Sequence, residues 1–253
     1  MIPKIIHQTW KTSEIPERWK LAVNSCKKKY NDYQYILWTD EMMEKFVKTE
    51  YPDFFNVYDS YKENIQRCDA FRYLVLYKYG GVYIDMDIIC KKNFDNLLSY
   101  DLVLAKSSNM NNFFTNSFFM STPNNPFMKF CIDNLPDYKD SFKYFGNHFH
   151  IMNSTGPIFL TKMINKYGLE NIKNIHVLSN AEFAGDCSQC TEKACKGGIY
   201  FNHVAGNSWH SFDSKIINIL LCNWKIILLI ILFAIFVVII YKNRLFKKIK
   251  KMI

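Results

Sequence analysis

The chain is predicted to fold as an α/β domain on a mainly parallel central sheet, followed by one C-terminal transmembrane helix. Three observations predict this: a strand–helix–strand order near the N-terminus, two aspartates inside an otherwise apolar strand after a Gly-Gly pair, and a long apolar run that ends in basic residues. Lys4–Gln8 and Tyr33–Trp38 read as strands with a helix, Pro16–Lys29, between them. That order implies a parallel pair, with ligands at the strand ends. At 253 residues, 49% of them hydrophobic and 17% aromatic, the chain can bury a sizeable single core.

Further along, Ile65, Phe71, Leu74, Val75 and Tyr79 recur at helical spacing between Ser60 and Tyr79, and Gly80 stands where a C′ glycine ends a helix. Asp69 and Arg72 lie one turn apart on this helix and can point the same way, either as a solvated ion pair or into a site. Residues 80–89 then read as one buried strand. Alternation puts Val82, Ile84, Met86 and Ile88 on one face and Tyr83, Asp85 and Asp87 on the other. Carboxylates there need a partner, because a charge taken out of water is costly unless it is paired, hydrogen-bonded or bound to a metal. Two of them on one strand face can hold Mg²⁺ or Mn²⁺ together with the phosphates of a substrate. A calcium loop beginning at Asp85 would want Gly and Glu where Cys90 and Asn96 stand. A phosphohydrolase of the haloacid-dehalogenase kind also uses two aspartates two apart, but it wants Thr or Val where Ile89 stands. Asp101–Lys106 is a further strand, and Asn124–Leu135 and Pro157–Tyr167 are helices with proline near each start.

The C-terminal part reads as an anchor. Residues 216–241 are apolar apart from Asn218, Asn223 and Lys225, and are expected to form the transmembrane helix. Residues 242–253 form a basic tail that carries six of the net charge of +9, leaving three for everything before it. The globular part, 1–212, therefore shows no basic surface suited to nucleic acid. Positive-inside bias places the domain in a lumen, while the direct run from Met1 into the first strand, without a signal peptide, would suit a cytosolic domain; the lumen of a Golgi- or ER-type membrane is the favoured expectation. Of the eight cysteines, Cys187, Cys190 and Cys195 form a cluster that reads as a disulfide loop or as a zinc site with His203 or His210. Cys26, Cys68, Cys90 and Cys131 are expected to be core thiols. Asn153-Ser154-Thr155 fits the glycosylation pattern and is expected to be unmodified.

The string Arg67-Cys68-Asp69-Ala70-Phe71-Arg72-Tyr73, with Gly80-Gly81-Val82-Tyr83-Ile84-Asp85-Met86-Asp87 after it, resembles the core signature of the DXD-containing glycosyltransferases. That family includes the fungal initiating α-1,6-mannosyltransferase, the inositol-phosphorylceramide mannosyltransferases and the α-1,4-galactosyl- and N-acetylglucosaminyltransferases, with glucosylating bacterial toxins as distant relatives. Four further stretches agree with it: Ile2–Trp10, Asn116–Ser121 followed by Pro126-Phe127, Thr155-Gly156-Pro157, and His203 with Ser208-Trp209. A lone D-x-D is weak; five blocks in family order are not.

The resemblance implies the nucleotide-sugar-binding α/β fold called GT-A and a membrane-anchored, divalent-metal-dependent, retaining transferase. Such an enzyme would move a hexose or N-acetylhexosamine from a nucleotide sugar to a glycan or glycolipid. It implies that Trp10 stacks on the base, that Asp69 and Arg72 hold ribose or sugar, and that Asp85 binds ribose or sugar hydroxyls. Asp87 and His203 would ligate Mn²⁺ or Mg²⁺, Ser208 and Trp209 would bind the β-phosphate, and Asn116 and Thr155 would line the sugar site. No residue is nominated as a covalent nucleophile. The alternatives weighed beside it are the phosphohydrolase and a catalytically silent sugar- or nucleotide-binding protein, and the intact carboxylate pair speaks against the latter.

Overall fold

The structure, a computed structural model, describes residues 1–107, 113–183, 197–204 and 212–250, the last eight of them as backbone only. Strand β1 (Ile5–Thr9) leads through helix α1 (Glu17–Lys29) to β2 (Gln34–Trp38). The two strands pair in parallel over their whole length, as the β-α-β order predicts. Thr39 caps α2 (Asp40–Glu50) by accepting from the Met42 N–H, and Pro52 opens α3 (Pro52–Ser60). Helix α4 (Asn64–Tyr79) begins at a capping box between Glu63 and Gln66. It ends at Gly80, whose φ is 65°, followed by Gly81 at 94°. A Cβ on Gly80 would lie 2.8 Å from the Ser121 carbonyl oxygen, and one on Gly81 2.7 Å from that of Ile5. Only glycine lets α4 turn this sharply into a strand held between two neighbours.

That strand is shorter than its sequence predicts. β3 (Gly81–Ile84) ends just before Asp85, whose N–H makes a last bond to the Ser117 carbonyl on the neighbouring strand at 2.9 Å; Met86 and Asp87 form a turn, and β4 (Ile88–Cys90) belongs to a different sheet. The expectation of one continuous strand over 80–89 is corrected accordingly. Val82 and Ile84 do pack on one side of the sheet and Tyr83 on the other, but Met86 joins a separate cluster with Trp19 and Val23. The chain continues through β5 (Leu102–Lys106), β6 (Phe114–Ser121), α5 (Pro126–Tyr138), α6 (Asn147–Ser154), α7 (Pro157–Tyr167), β7 (Ile175–Leu178) and β8 (Phe201–His203). The main sheet has the order β2-β1-β3-β6-β5-β7. Its β6 alone runs against the others, so the sheet is mainly parallel. A second sheet pairs β4 with β8, Ile88 opposite His203.

Two elements depart from expectation. Cys26 on α1 and Cys90 on β4 form a disulfide, which replaces two of the expected core thiols, while Cys68 and Cys131 are free. The strand hydrophobicity around Cys90 masked its covalent role, since a half-cystine and a buried thiol occupy the same kind of site. The apolar C-terminal stretch is two helices, α8 (Phe212–Cys222) and α9 (Trp224–Lys250). Asp213 of α8 accepts from the His148 N–H at 2.8 Å and so caps α6, whose own N-cap residue is Gly146. Within α9, Trp224–Lys242 has a mean hydropathy of 2.9 and is long and apolar enough to cross a membrane.

Candidate active site

The site forms where the C-terminal ends of β1 and β3 meet α4, the sheet position that ligands take in parallel α/β folds. Helix α4 is buried from Asp69 through Leu76, so its polar residues must find partners inside the protein. Arg72 Nη2 lies 2.7 Å from Asp69 Oδ1, and Arg72 Nη1 donates to the Asn116 carbonyl on β6. Asp69 also accepts from Asn116 Nδ2 at 3.0 Å and from Thr155 Oγ1 at 3.1 Å. Burial pushes the Asp69 carboxyl up to about 6, against the pull of Arg72, Thr155 and Asn116. Every one of these neighbours donates, so the group stands ionised at neutral pH.

Arg72 reaches further, to 3.7 Å from Asp85 Oδ1, and its guanidinium carbon sits 4.6 Å from the centre of the Tyr83 ring. The Tyr83 hydroxyl is 3.0 Å from Asp85 Oδ1 and the same distance from Thr9 Oγ1. Tyr83 therefore orients the first aspartate of the D-x-D, a role the sequence reading did not assign to it. Its signal was present in the shared strand face two residues away. Asp85 itself is more open than Asp69, with 31% of its side chain exposed against 5%. Below it, His7 on β1 accepts from Trp38 Nε1 at 3.1 Å through Nδ1 and, since that leaves the proton on Nε2, donates to the Gly80 carbonyl at 3.0 Å. Burial holds its pKa down at about 4.

Asp87 and His203 come together through the small sheet. Val204 N–H donates to the Asp87 carbonyl at 2.7 Å, and His203 Nε2 lies 3.6 Å from Asp87 Oδ2, too long for a hydrogen bond. Asp87 Oδ1 is buried without a hydrogen-bond partner among the described residues, and burial raises its carboxyl to about 6 although His203 pulls it down. An orphaned carboxylate oxygen beside an imidazole is a donor set that suits a divalent cation. No group of three or more such ligands occurs among the described residues, so phosphate oxygens or water would complete the coordination.

The structure brings Asp69, Arg72, Asp85, Asn116 and Thr155 into one network, with Asp87 and His203 beside it. Asn116 and Thr155 meet the site through Asp69, and Thr155 is fully buried. Trp10 follows β1 and packs half-buried against the cluster of Trp19, Val23 and Met86. Ser208, Trp209 and the cluster Cys187, Cys190 and Cys195 lie outside the described residues.

Residues 16–104 match the family described as the glycosyltransferase sugar-binding region containing the DXD motif, a span that holds Asp69, Arg72, Asp85 and Asp87. Over those residues the chain is similar to the DXD-motif glycosyltransferases. Inositol phosphoceramide mannosyltransferase 1 of Schizosaccharomyces pombe is 39% identical over 85% of this chain and 64% of its own length. Mannosyl phosphorylinositol ceramide synthase SUR1 of Saccharomyces cerevisiae is 38% identical over 87% and 55%. An uncharacterized glycosyltransferase of Acanthamoeba polyphaga mimivirus is 28% identical over 83% and 84%. The chain thus spans between 54% and 64% of the length of the fungal ceramide mannosyltransferases and synthases it matches. Among solved structures, the PaToxG glycosyltransferase superposes with a TM-score of 0.47 at 22% identity, covering 66% of this chain and 70% of that one.

Proposed function

We propose that this chain is a membrane-anchored, divalent-metal-dependent glycosyltransferase that moves a mannosyl residue from a nucleotide sugar to a phosphoinositol-bearing ceramide, with retention of configuration. The observation that carries the reading is the buried Arg72–Asp69 pair, linked to Asp85 and set beside Asp87 Oδ1, which has no hydrogen-bond partner among the described residues. The names of the fungal relatives supply the sugar and the lipid. Asp69 and Arg72 form a rigid floor for sugar or ribose hydroxyls, and Asp85, oriented by Tyr83, accepts from them. Asp87 and His203 would hold Mn²⁺ or Mg²⁺, which when bound supplies positive charge against the leaving diphosphate. Asp69, saturated by three donors, is no free nucleophile. This supports a front-face displacement in which the departing diphosphate takes the acceptor proton. The Cys26–Cys90 disulfide supports a domain facing the oxidising lumen of a Golgi- or ER-type membrane.

The test is to incubate the full-length protein with Mn²⁺, phosphoinositol ceramide and a panel of nucleotide sugars that includes GDP-mannose and UDP-sugars. Metal-dependent mannosyl transfer is expected, reduced about 100-fold or more in Asp87→Ala. The folded state should be retained in that variant, because it removes a buried carboxylate whose Oδ1 has no hydrogen-bond partner among the described residues. Phosphate release from simple monoesters, or sugar binding without turnover, would replace the reading with one of its alternatives. Full activity in Asp87→Ala would reject the site.

A further inference from the structure

The face around the start of α6 carries aromatic side chains that point into solvent. Tyr144 is 95% exposed and Phe145 71%, with Phe142 and Phe149 also exposed. Phe142 sits at φ 56°, a conformation bulky side chains disfavour, and its ring packs on that of Phe145 at 5.4 Å. Helix α8 adds a second apolar strip. Phe212, Ile216, Ile219 and Leu220 recur at helical spacing and all are exposed, Phe212 at 78%, whereas Ser214 faces the protein and is fully buried.

The two patches are physically joined. Asp213 accepts from His148 N–H at 2.8 Å, Ser214 Oγ lies 3.0 Å from His148 Nδ1, and a Cβ on Gly146 would meet Asp213 Oδ2 at 2.8 Å. The start of α8 is therefore seated against the aromatic turn. Lys62, Lys139, His150 and Lys143, the last paired with Asp140 at 2.8 Å, line a cleft beside that turn, and Lys215 is exposed on α8. At its other end α8 runs, after Asn223, into α9 and its apolar span, which opens with the exposed Trp224.

We infer that residues 142–149 and the outer strip of α8 form a second membrane-contact surface, which lies in the headgroup layer of an anionic bilayer beside α9. Chain continuity identifies the occupant. An eleven-residue helix is about 16 Å long and the span starts two residues beyond it, so no part of the strip is farther than about 22 Å from the start of the span. Exposed aromatics rimmed by lysines suit a headgroup layer, where rings are buried at the apolar boundary and ammonium groups meet lipid phosphates. The arrangement has a consequence for the reaction. Helix α6 runs about 12 Å from the aromatic turn to Thr155, whose hydroxyl holds Asp69, so the sugar site stands one short helix away from the lipid headgroups.

This inference rests on α9 crossing the membrane, and the test separates the two. A diazirine-bearing residue is placed singly at Tyr144, Ile219, Leu21 or Ile231 of the full chain, which is reconstituted in phosphatidylcholine vesicles with about one-fifth anionic lipid. Leu21 is exposed on α1, which packs on the opposite side of the sheet from α5 and α7. After illumination, lipid adducts at positions 144 and 219 are expected to exceed those at 21 by about tenfold and to approach those at 231. Omitting anionic lipid should lower the adduct at 144 and leave 231 unchanged. Adducts at 231 with none at 144 and 219 would overturn the inference and leave the span intact. Cross-links from 144 to a second copy of the chain would overturn it in favour of a protein interface. Absence of lipid adducts at 231 would remove the span and the inference with it.

Discussion

At the scale of single residues, the site depends on donors and acceptors that the protein has already matched. His7 shows how tightly. Its two nitrogens are committed to Trp38 and Gly80, and burial keeps its pKa near 4 where an exposed histidine sits at 6.5. An unfolded chain takes up the proton near 6.5 and the folded one does not, so this contribution to stability is complete above about pH 6.5 and is lost as the pH falls toward 4. Acidification from pH 7 to pH 5 is expected to lower the unfolding free energy by about 2 kcal/mol through this residue. Denaturant titrations in detergent at the two pH values should show that drop. They should show it largely abolished in His7→Gln, whose amide can still accept from Trp38 and donate to Gly80.

At the scale of elements, the position of Asp87 is set by joints rather than by a strand. The Gly80-Gly81 turn feeds β3 into the main sheet, and β4 then leaves it to pair with β8. The disulfide from Cys26 to Cys90 and a 2.9 Å hydrogen bond from the Cys90 N–H to Ser25 Oγ fasten β4 to α1. The crosslink closes a loop with a sequence separation of 64 residues. Replacing both cysteines with serine should therefore destabilise the domain by about 2–4 kcal/mol. With β4 loosened, the concentration of Mn²⁺ needed for half-maximal activity should also rise, and a titration of metal against turnover reads that directly. Equal metal dependence in the variant and the parent would show that β8 alone holds Asp87 in place.

For the whole molecule, the break between α8 and the apolar helix α9 falls at Asn223. Helix α8 caps α6 and belongs to the domain, and Cys222 at its end is disulfide-bonded. Removing residues 223–253 should accordingly leave a folded protein that is released from membranes by high pH, whereas the full chain stays with the pellet. A cut before Phe212 takes away the cap on α6 as well, and it should lower the unfolding free energy by about 1 kcal/mol or more relative to the first truncation. Carbonate extraction and thermal melts of the two truncations check both statements.

Local chemistry was enough for much of this. The strand–helix–strand start, the glycine pair, the carboxylates that follow it and the apolar C-terminal run all rest on rules of short range: alternation, helical spacing and the conformational freedom of glycine. The pairing of Asp69 with Arg72 was legible as a turn of helix, but not as a buried pair, because only the packing of α4 against the sheet and α5 removes it from water. The break after Ile84, the reversal of β6, the link from Cys26 to Cys90 and the seat of α8 on α6 join residues far apart in the chain. No spacing rule reports such contacts, since they depend on which surfaces meet once the sheet has formed. The sequence by itself marked Asp69, Arg72, Asp85 and Asp87 as candidate groups, because their types and spacing are local properties, and the tertiary structure decided which of them stand within reach of one another.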